Sequence, residues 1–394
     1  MNDTSTIYAF IIEKQSIRLQ IIKTGKQFYN DIDIITGQMS GKSFNNYSEE
    51  DFNAFVRASN RLYQSLIPAE VSQQLPENLI IIPDGELGYI SFDILLTDSL
   101  HEKNNGYRNL PYLIRKCAIN YAPSATMLFG QLSSREKTGT NILAFAPSYD
   151  NLKNLPVNQL MNRQSAQTIL LPIPGAQIEV NNLRNDYRCK VFEGNKATRD
   201  NFKKYSGNYG ILHLAMHTLI DDENPLYSKL VFYRDSKDAE ASLLNTYELF
   251  NMQLNAQLAV LSACNTGKGK LINGEGILSL SRGFFYAGVP SVIMTLWAVE
   301  DRSGADLMTS FYKYLSEGKA KDDALRLAKL DYLRSSDQIR SHPHFWAAYL
   351  SIGNTVPLEH INKPVSKWLY ITGAIILFSL IATIIRIRLQ RRQH

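Results

Sequence analysis

Two apolar runs in this 394-residue chain end in side chains that can react. ILHLAMH at 211–217 closes on His217, and LAVLSAC at 258–264 closes on Cys264. Short apolar runs of this kind read as buried strands, so each reactive residue falls at or just past a strand's C-terminal end. Brought together at one sheet edge, thiol and imidazole make a nucleophile and its proton acceptor. The imidazole raises the thiolate fraction, and the thiolate is the attacking species. After Cys264 the chain reads NTGKGK at 265–270 and NGEG at 273–276, a glycine-rich turn leading into a helix. Small residues let a substrate backbone come close, and amide groups in such a turn can stabilise an oxyanion.

Plainer readings stand beside this one. A cysteine ending an apolar strand is usually an inert packed thiol, and a lone histidine there is usually structural. His213 and His217 have the i, i+4 spacing of zinc ligands on a helix, but the glutamate of H-E-x-x-H is absent and the segment reads as a strand. The GKGK run at 267–270 lacks the full phosphate-loop pattern G-x-x-x-x-G-K-[ST]. Neither a metal nor an organic cofactor is expected.

The elements that must position the pair follow from the same patterning. From residue 140 buried strands alternate with helices: strands at 141–146, 189–192, 210–215, 258–263 and 291–296, helices near 177–186, 199–205, 276–287, 302–317 and 322–333. Such alternation predicts an α/β fold with a mostly parallel sheet flanked by helices, in which ligands bind beyond the carboxyl ends of the strands. The 221–257 insertion holds a strand at 229–233 and a helix at 243–250. Upstream, alternating residues predict two hairpin strands around 13–16 and a third strand near 28–34. Ser48 with Asp51 predicts a capped helix to about residue 66. Strands follow at 79–82 and 112–121, then a helix from Ser124 to about 132. The polar stretch 135–139 divides an N-terminal α/β subdomain, 1–135, from a catalytic domain, 140–355. No internal repeat is visible.

Composition narrows the classes. Apolar residues make up 44% and charged residues 20%, so a sizeable core is affordable and wholesale disorder is not expected. The net charge is +5, and Arg386, Arg388, Arg391 and Arg392 lie in the last nine residues; the near-neutral remainder gives no nucleic-acid surface. Three cysteines, Cys117, Cys189 and Cys264, do not make a disulfide framework. A linker at 356–367 leads to WLYITGAIILFSLIATII at 368–385, 18 uncharged residues within an expected transmembrane helix at 368–387. Trp368 and Tyr370 suit one interface, and the basic tail at 388–394 the other. The expectation is a single-pass membrane protein with a C-terminal anchor. The N-terminus lacks the features of a signal peptide, which keeps the catalytic domain cytoplasmic; the basic tail argues for the opposite topology.

At this point the residues resemble a known family. Blocks matching in order are LIIIPDGELGYISFDIL (79–95), YAPSAT (121–126), LPIPGAQIEVNNL (171–183), 194–198, ILHLAMH (211–217), 258–301 and HPHFWAAYLSIG (342–353). They resemble the CHAT domain, a caspase-like cysteine peptidase family of clan CD, related to separase and often found beside tetratricopeptide repeats. The resemblance spans roughly residues 79 to 353. It implies a caspase-like fold, His217 as base and Cys264 as nucleophile, 47 residues apart. It also implies an oxyanion hole of backbone N–H groups at Thr218 and Cys264; Thr218 stands where the family commonly has glycine. LWAVEDRS (296–303) resembles the separase segment that supplies acid to the pocket for a basic P1 side chain. Asp301 matches an acid there, with Glu300 beside it, and Ser303 stands where a second acid is expected. Glu300 and Asp301 equally suit the positive end of the following helix. The implied function is a membrane-tethered cysteine endopeptidase cleaving protein substrates, a regulated effector in bacterial signalling or defence. A repeat-containing activator, on the same longer product or a separate chain, is the implied partner. A catalytically silent binding or scaffold module is the alternative.

Overall fold

The computed structural model describes residues 6–39, 48–99, 106–130, 139–149, 172–221, 224–234, 240–262, 276–359 and 361. Its first strands, β1 (Thr6–Ile12) and β2 (Ile17–Lys23), form the expected antiparallel hairpin, with Phe10 opposite Leu19. The third strand expected near 28–34 is a helix instead, α1 (Lys26–Met39). Phe28, Ile32, Ile35 and Met39 are its buried apolar residues. Their spacing is the 3.6-residue period of one helical face, and it outweighs the β-branched content of the segment. Next comes α2 (Glu49–Leu66), capped as expected: Asp51 N–H donates to Ser48 Oγ, and the Asp51 carboxylate accepts from Ser48 N–H. α3 (Ala69–Gln73) is a single short turn.

An eight-stranded sheet organises the rest. β3 (Asn78–Ile81) and β4 (Ala118–Tyr121) come before the polar break, then the short α4 (Ala125–Gly130). The strand expected over 112–121 is only its last four residues; Leu113–Arg115 is a 3-10 turn under Trp346, whose ring lies 5.0 Å from that of Tyr112. A continuous buried apolar run does not by itself separate strand from buried turn. After the break come β5 (Ile142–Pro147), α5 (Pro174–Asp186), β6 (Cys189–Gly194), α6 (Arg199–Tyr205) and β7 (Ile211–Leu214). β8 (Thr218–Leu219), β9 (Lys229–Val231) and β10 (Leu243–Asn245) form a small separate antiparallel sheet, followed by α7 (Thr246–Leu249). The chain returns with β11 (Leu258–Leu261), α8 (Gly276–Tyr286), β12 (Ser291–Thr295), α9 (Asp301–Ser316), α10 (Lys321–Ser335) and β13 (Tyr349–Gly353).

The order across the large sheet is β3-β4-β13-β12-β11-β7-β5-β6. Every neighbouring pair is parallel except β12 with β13. The α/β fold with a mostly parallel sheet is therefore present, as five strands running one way and three the other. β5, β7 and β11 are buried at every position, as strands covered on both faces should be. β6 lies on one side of β5 and β7 on the other, so strand order reverses there. Open α/β sheets bind their ligands beyond the carboxyl ends of the strands at such a reversal. The expected membrane segment at 368–387 lies outside the described residues, and among the described residues no helix is long and apolar enough to cross a membrane.

Candidate functional site

β7 and β11 are direct parallel neighbours, with Leu214 opposite Leu261. His217 follows Leu214 by three residues, and Cys264 follows Leu261 by three. Cys264 lies outside the described residues, as does the glycine-rich turn to residue 275; Ser262, just past β11, is the last described residue before them.

His217 is 4% exposed. Its backbone N–H donates to Tyr149 Oη at 3.0 Å, and Tyr149 Oη donates to the Val231 carbonyl at 2.7 Å. Val231 N–H in turn donates to the His217 carbonyl at 3.0 Å. The two rings lie 4.6 Å apart. Tyr149, just past β5, therefore ties the turn after β7 to β9, at the point where strand order reverses. Thr218 is buried and opens β8, paired with Leu230 of β9.

The other histidine of the motif has a different task. His213 is fully buried on β7, with Nε2 3.0 Å from Glu179 Oε2 and Nδ1 3.1 Å from Tyr312 Oη. Both ring nitrogens are thus engaged within the protein. The other carboxylate oxygen of Glu179 accepts from Ser262 Oγ at 2.8 Å, and Ser262 Oγ lies 2.8 Å from Tyr349 Oη.

Glu179, Ser262 and Tyr349 also line a small cavity, together with Gly175, Glu300 and Asp301. The cavity sits between the starts of α5 and α9. Asp301 accepts a hydrogen bond from the Gly175 backbone N–H. A Cβ on Gly175 would come 2.5 Å from the Asp301 Cβ and carbonyl oxygen, so only glycine allows this approach. Burial pushes the Asp301 carboxyl up from its ordinary range, the Gly175 bond opposes that, and the Glu300 charge adds to it. Glu300 has different partners: Arg340 Nη2 approaches its Oε1 at 3.2 Å, and Ser303 Oγ donates to its Oε2 at 2.7 Å. Burial raises the Glu300 carboxyl, but the hydrogen bonds from Arg340 and Ser303 outweigh it and hold the group below the usual range. Ser303 bonds to Glu300 and Tyr332 and is not among the residues lining the cavity.

Glu179 is the buried carboxylate that motif reading passes over. It sits among Ala176, Val180 and Leu183 on the buried face of α5. A carboxylate on an apolar helical stripe is a signal the sequence does contain. The described thiols are unreactive in character: burial pushes both Cys117 and Cys189 up to about 12.

Residues 56–354 match the family described as CHAT domain. Tetratricopeptide repeat protein 28 of Homo sapiens is 25% identical over 319 residues, covering 73% of this chain and 12% of that protein. The protein of the same name from Mus musculus is 24% identical over 323 residues, again 73% of this chain and 12% of its own length. Among solved structures, the Saccharomyces cerevisiae separase–securin complex superposes with a TM-score of 0.39 at 13% identity, over 72% of this chain and 16% of that one. The Arg-specific cysteine proteinase gingipain R superposes with a TM-score of 0.43 at 11% identity, over 86% of this chain and 78% of that one.

Proposed function

This chain belongs to the CHAT domain family, and on that premise we propose that it is a cysteine endopeptidase of the caspase-like kind working through a His217–Cys264 dyad. The observation that carries the reading is the β7–β11 pairing: with Leu214 opposite Leu261, equal three-residue extensions lead to the imidazole and to the thiol. Support also comes from elimination among the thiols, since burial disfavours the thiolate of Cys117 and Cys189.

In the proposed cycle the Cys264 thiolate attacks a peptide carbonyl and forms the new S–C bond. Backbone N–H groups at Thr218 and Cys264 receive the oxyanion. His217, carrying the proton taken from the thiol, delivers it to the amine as the C–N bond breaks. Water then attacks the thioester, passing a proton to His217, and the thiolate leaves. No metal or organic cofactor takes part. Asp301 in the cavity selects arginine or lysine at P1; Glu300, already paired with Arg340, plays the lesser part.

The chain spans 12% of the length of the relatives it matches. Their name supports a repeat-bearing activator, on a longer product or a separate chain, for a regulated effector. The 368–387 segment, within the proposal, anchors the chain in a membrane with the catalytic domain on the cytoplasmic side, and protease protection of the domain in sealed membranes tests that arm. A second reading, a silent binding module, draws support from the 4% exposure of His217. Comparing protein N-termini generated by the wild type with those from Cys264→Ala decides between them. New termini following arginine or lysine, absent from the variant, are the expected result. Identical sets from the two proteins would remove the peptidase reading.

A further inference from the structure

We infer that Glu179 is a positioning residue, a carboxylate clamp from α5 that holds the ends of β7 and β11 in fixed relation. It rests on the proposed dyad for its catalytic consequence. The carboxylate touches both strands: Oε2 meets His213 at 3.0 Å, and Oε1 accepts from Ser262 at 2.8 Å. His213 stands four residues before His217, and Ser262 two before Cys264. Ser262 lies past Leu261, the last β11 residue paired with β7. The clamp therefore ties His213, opposite Val260 near the end of the ladder, to Ser262 just past it, close to where His217 and Cys264 follow in sequence.

The donors are ordered toward Glu179. Ser262 gives its single hydroxyl proton to Oε1, so Tyr349 Oη donates to Ser262 Oγ. In the tautomer with its proton on Nε2, His213 donates to Glu179 and its Nδ1 accepts from Tyr312 Oη. Two chains, Tyr349–Ser262 and Tyr312–His213, thus end on one carboxylate. Chains of hydrogen bonds reinforce one another. Glu179 is 6% exposed and His213 fully buried, so water does not dilute the arrangement.

A purely structural role predicts different behaviour on substitution. In Glu179→Gln the His213 tautomer can reverse: the amide donates to Nε2, and Nδ1–H donates to Tyr312. The ring keeps both partners, while the buried Tyr312 hydroxyl proton loses its acceptor, so the melting transition is read beside the rate. Ser262→Ala cuts the link to β11, and Ser262→Thr keeps the hydroxyl. The probe is an acetylated arginyl acyloxymethyl ketone, with inactivation rate and inhibitor binding measured separately. Small misplacement of reacting groups costs up to about 100-fold. The clamp predicts that Ser262→Ala and Glu179→Gln lower the limiting inactivation rate at saturating probe by ~10–100-fold while still melting cooperatively above the assay temperature, with Ser262→Thr restoring most of the rate. Rates within about twofold of wild type in both variants, or equal loss in Ser262→Thr, overturn it. Wild type that never reacts overturns the peptidase reading instead. The clamp is then read by amide hydrogen exchange, which it predicts to quicken over 211–218 and 258–262 in Ser262→Ala; unchanged exchange there overturns the clamp as well.

Discussion

Leu214 and Leu261 face each other across the parallel β7–β11 ladder, both buried and both the last residue of their strand. Parallel pairing with no offset means the two polypeptides leave the sheet at one level. Each then has three residues to its reactive side chain.

The proposed role of His217 as the base gives the first prediction. His217→Ala is expected to slow alkylation of Cys264 by a peptide electrophile by about 100-fold or more, the range for a general base. The His217 backbone N–H bond to Tyr149 survives the change. Stopped kinetics at pH 7 make the comparison; equal rates would show that His217 does not act on the thiol.

Asp301 carries a pH signature. Burial raises its carboxyl above the ordinary aspartate range, so it loses its charge at less acidic pH than a surface aspartate. Preference for arginine over alanine at P1 should therefore fade on acidification through that raised value and be full above it. Asp301→Asn should remove both the preference and its pH dependence. A peptide panel read across pH 4 to 8 checks this, and an unchanged preference in the variant would take Asp301 out of the pocket's chemistry.

How much of this was legible in the sequence depends on what each signal encodes. β5, β7, β11 and β12 were readable because doubly covered strands are continuous apolar runs. The Ser48–Asp51 box fixed the start of α2, since a cap is a local chemical feature. α1 was misread because Phe28, Ile32 and Ile34 share the parity of one strand face, while Ile35 and Met39, which complete the helical period, fall past that short window. The Glu179–Ser262 contact was hidden for another reason: it joins residues 83 apart, which no local pattern records, although a carboxylate on the apolar stripe of α5 does mark Glu179 itself. His213 has a metal-ligand spacing from His217 that the strand reading set aside, and the fold turns its ring toward Glu179 and Tyr312.

Stability should fall in mild acid, through buried histidines. Burial, aided by the nearby His344, lowers His342 to about 3 from an ordinary 6.5. The unfolded chain takes up this proton below about pH 6.5 while the folded chain refuses it, so folding weakens as pH drops from there toward 3. The loss from this group alone is about 2 kcal/mol by pH 5. His342 Nδ1 accepts the His344 backbone N–H at 3.2 Å, so His342→Asn can keep that acceptor while removing the titration. Urea unfolding at pH 7 and pH 5 should show a shallower acid slope in His342→Asn; parallel slopes would remove His342 as the cause.

A buried ion pair fastens the N-terminal residues to the main sheet. Lys329 on α10 pairs with Asp93 and donates to the Tyr349 carbonyl of β13, and Ser91 also donates to Asp93. Lys329 and Asp93 are both nearly inaccessible to water. Lys329→Met should cost ~3–5 kcal/mol, because it leaves a carboxylate buried without its cation. Adding Asp93→Asn to that variant should recover part of the loss. Equilibrium urea denaturation of the single and double variants checks the sign, and additive losses would argue against coupling.

The most direct test of the account is residue-resolved mass spectrometry after brief treatment with the arginyl acyloxymethyl ketone. The dyad predicts one adduct, on Cys264, with Cys117 and Cys189 unmodified and the adduct greatly slowed in His217→Ala. An adduct on Cys117 or Cys189 in preference to Cys264, or modification of Cys264 at the same rate without His217, would contradict it.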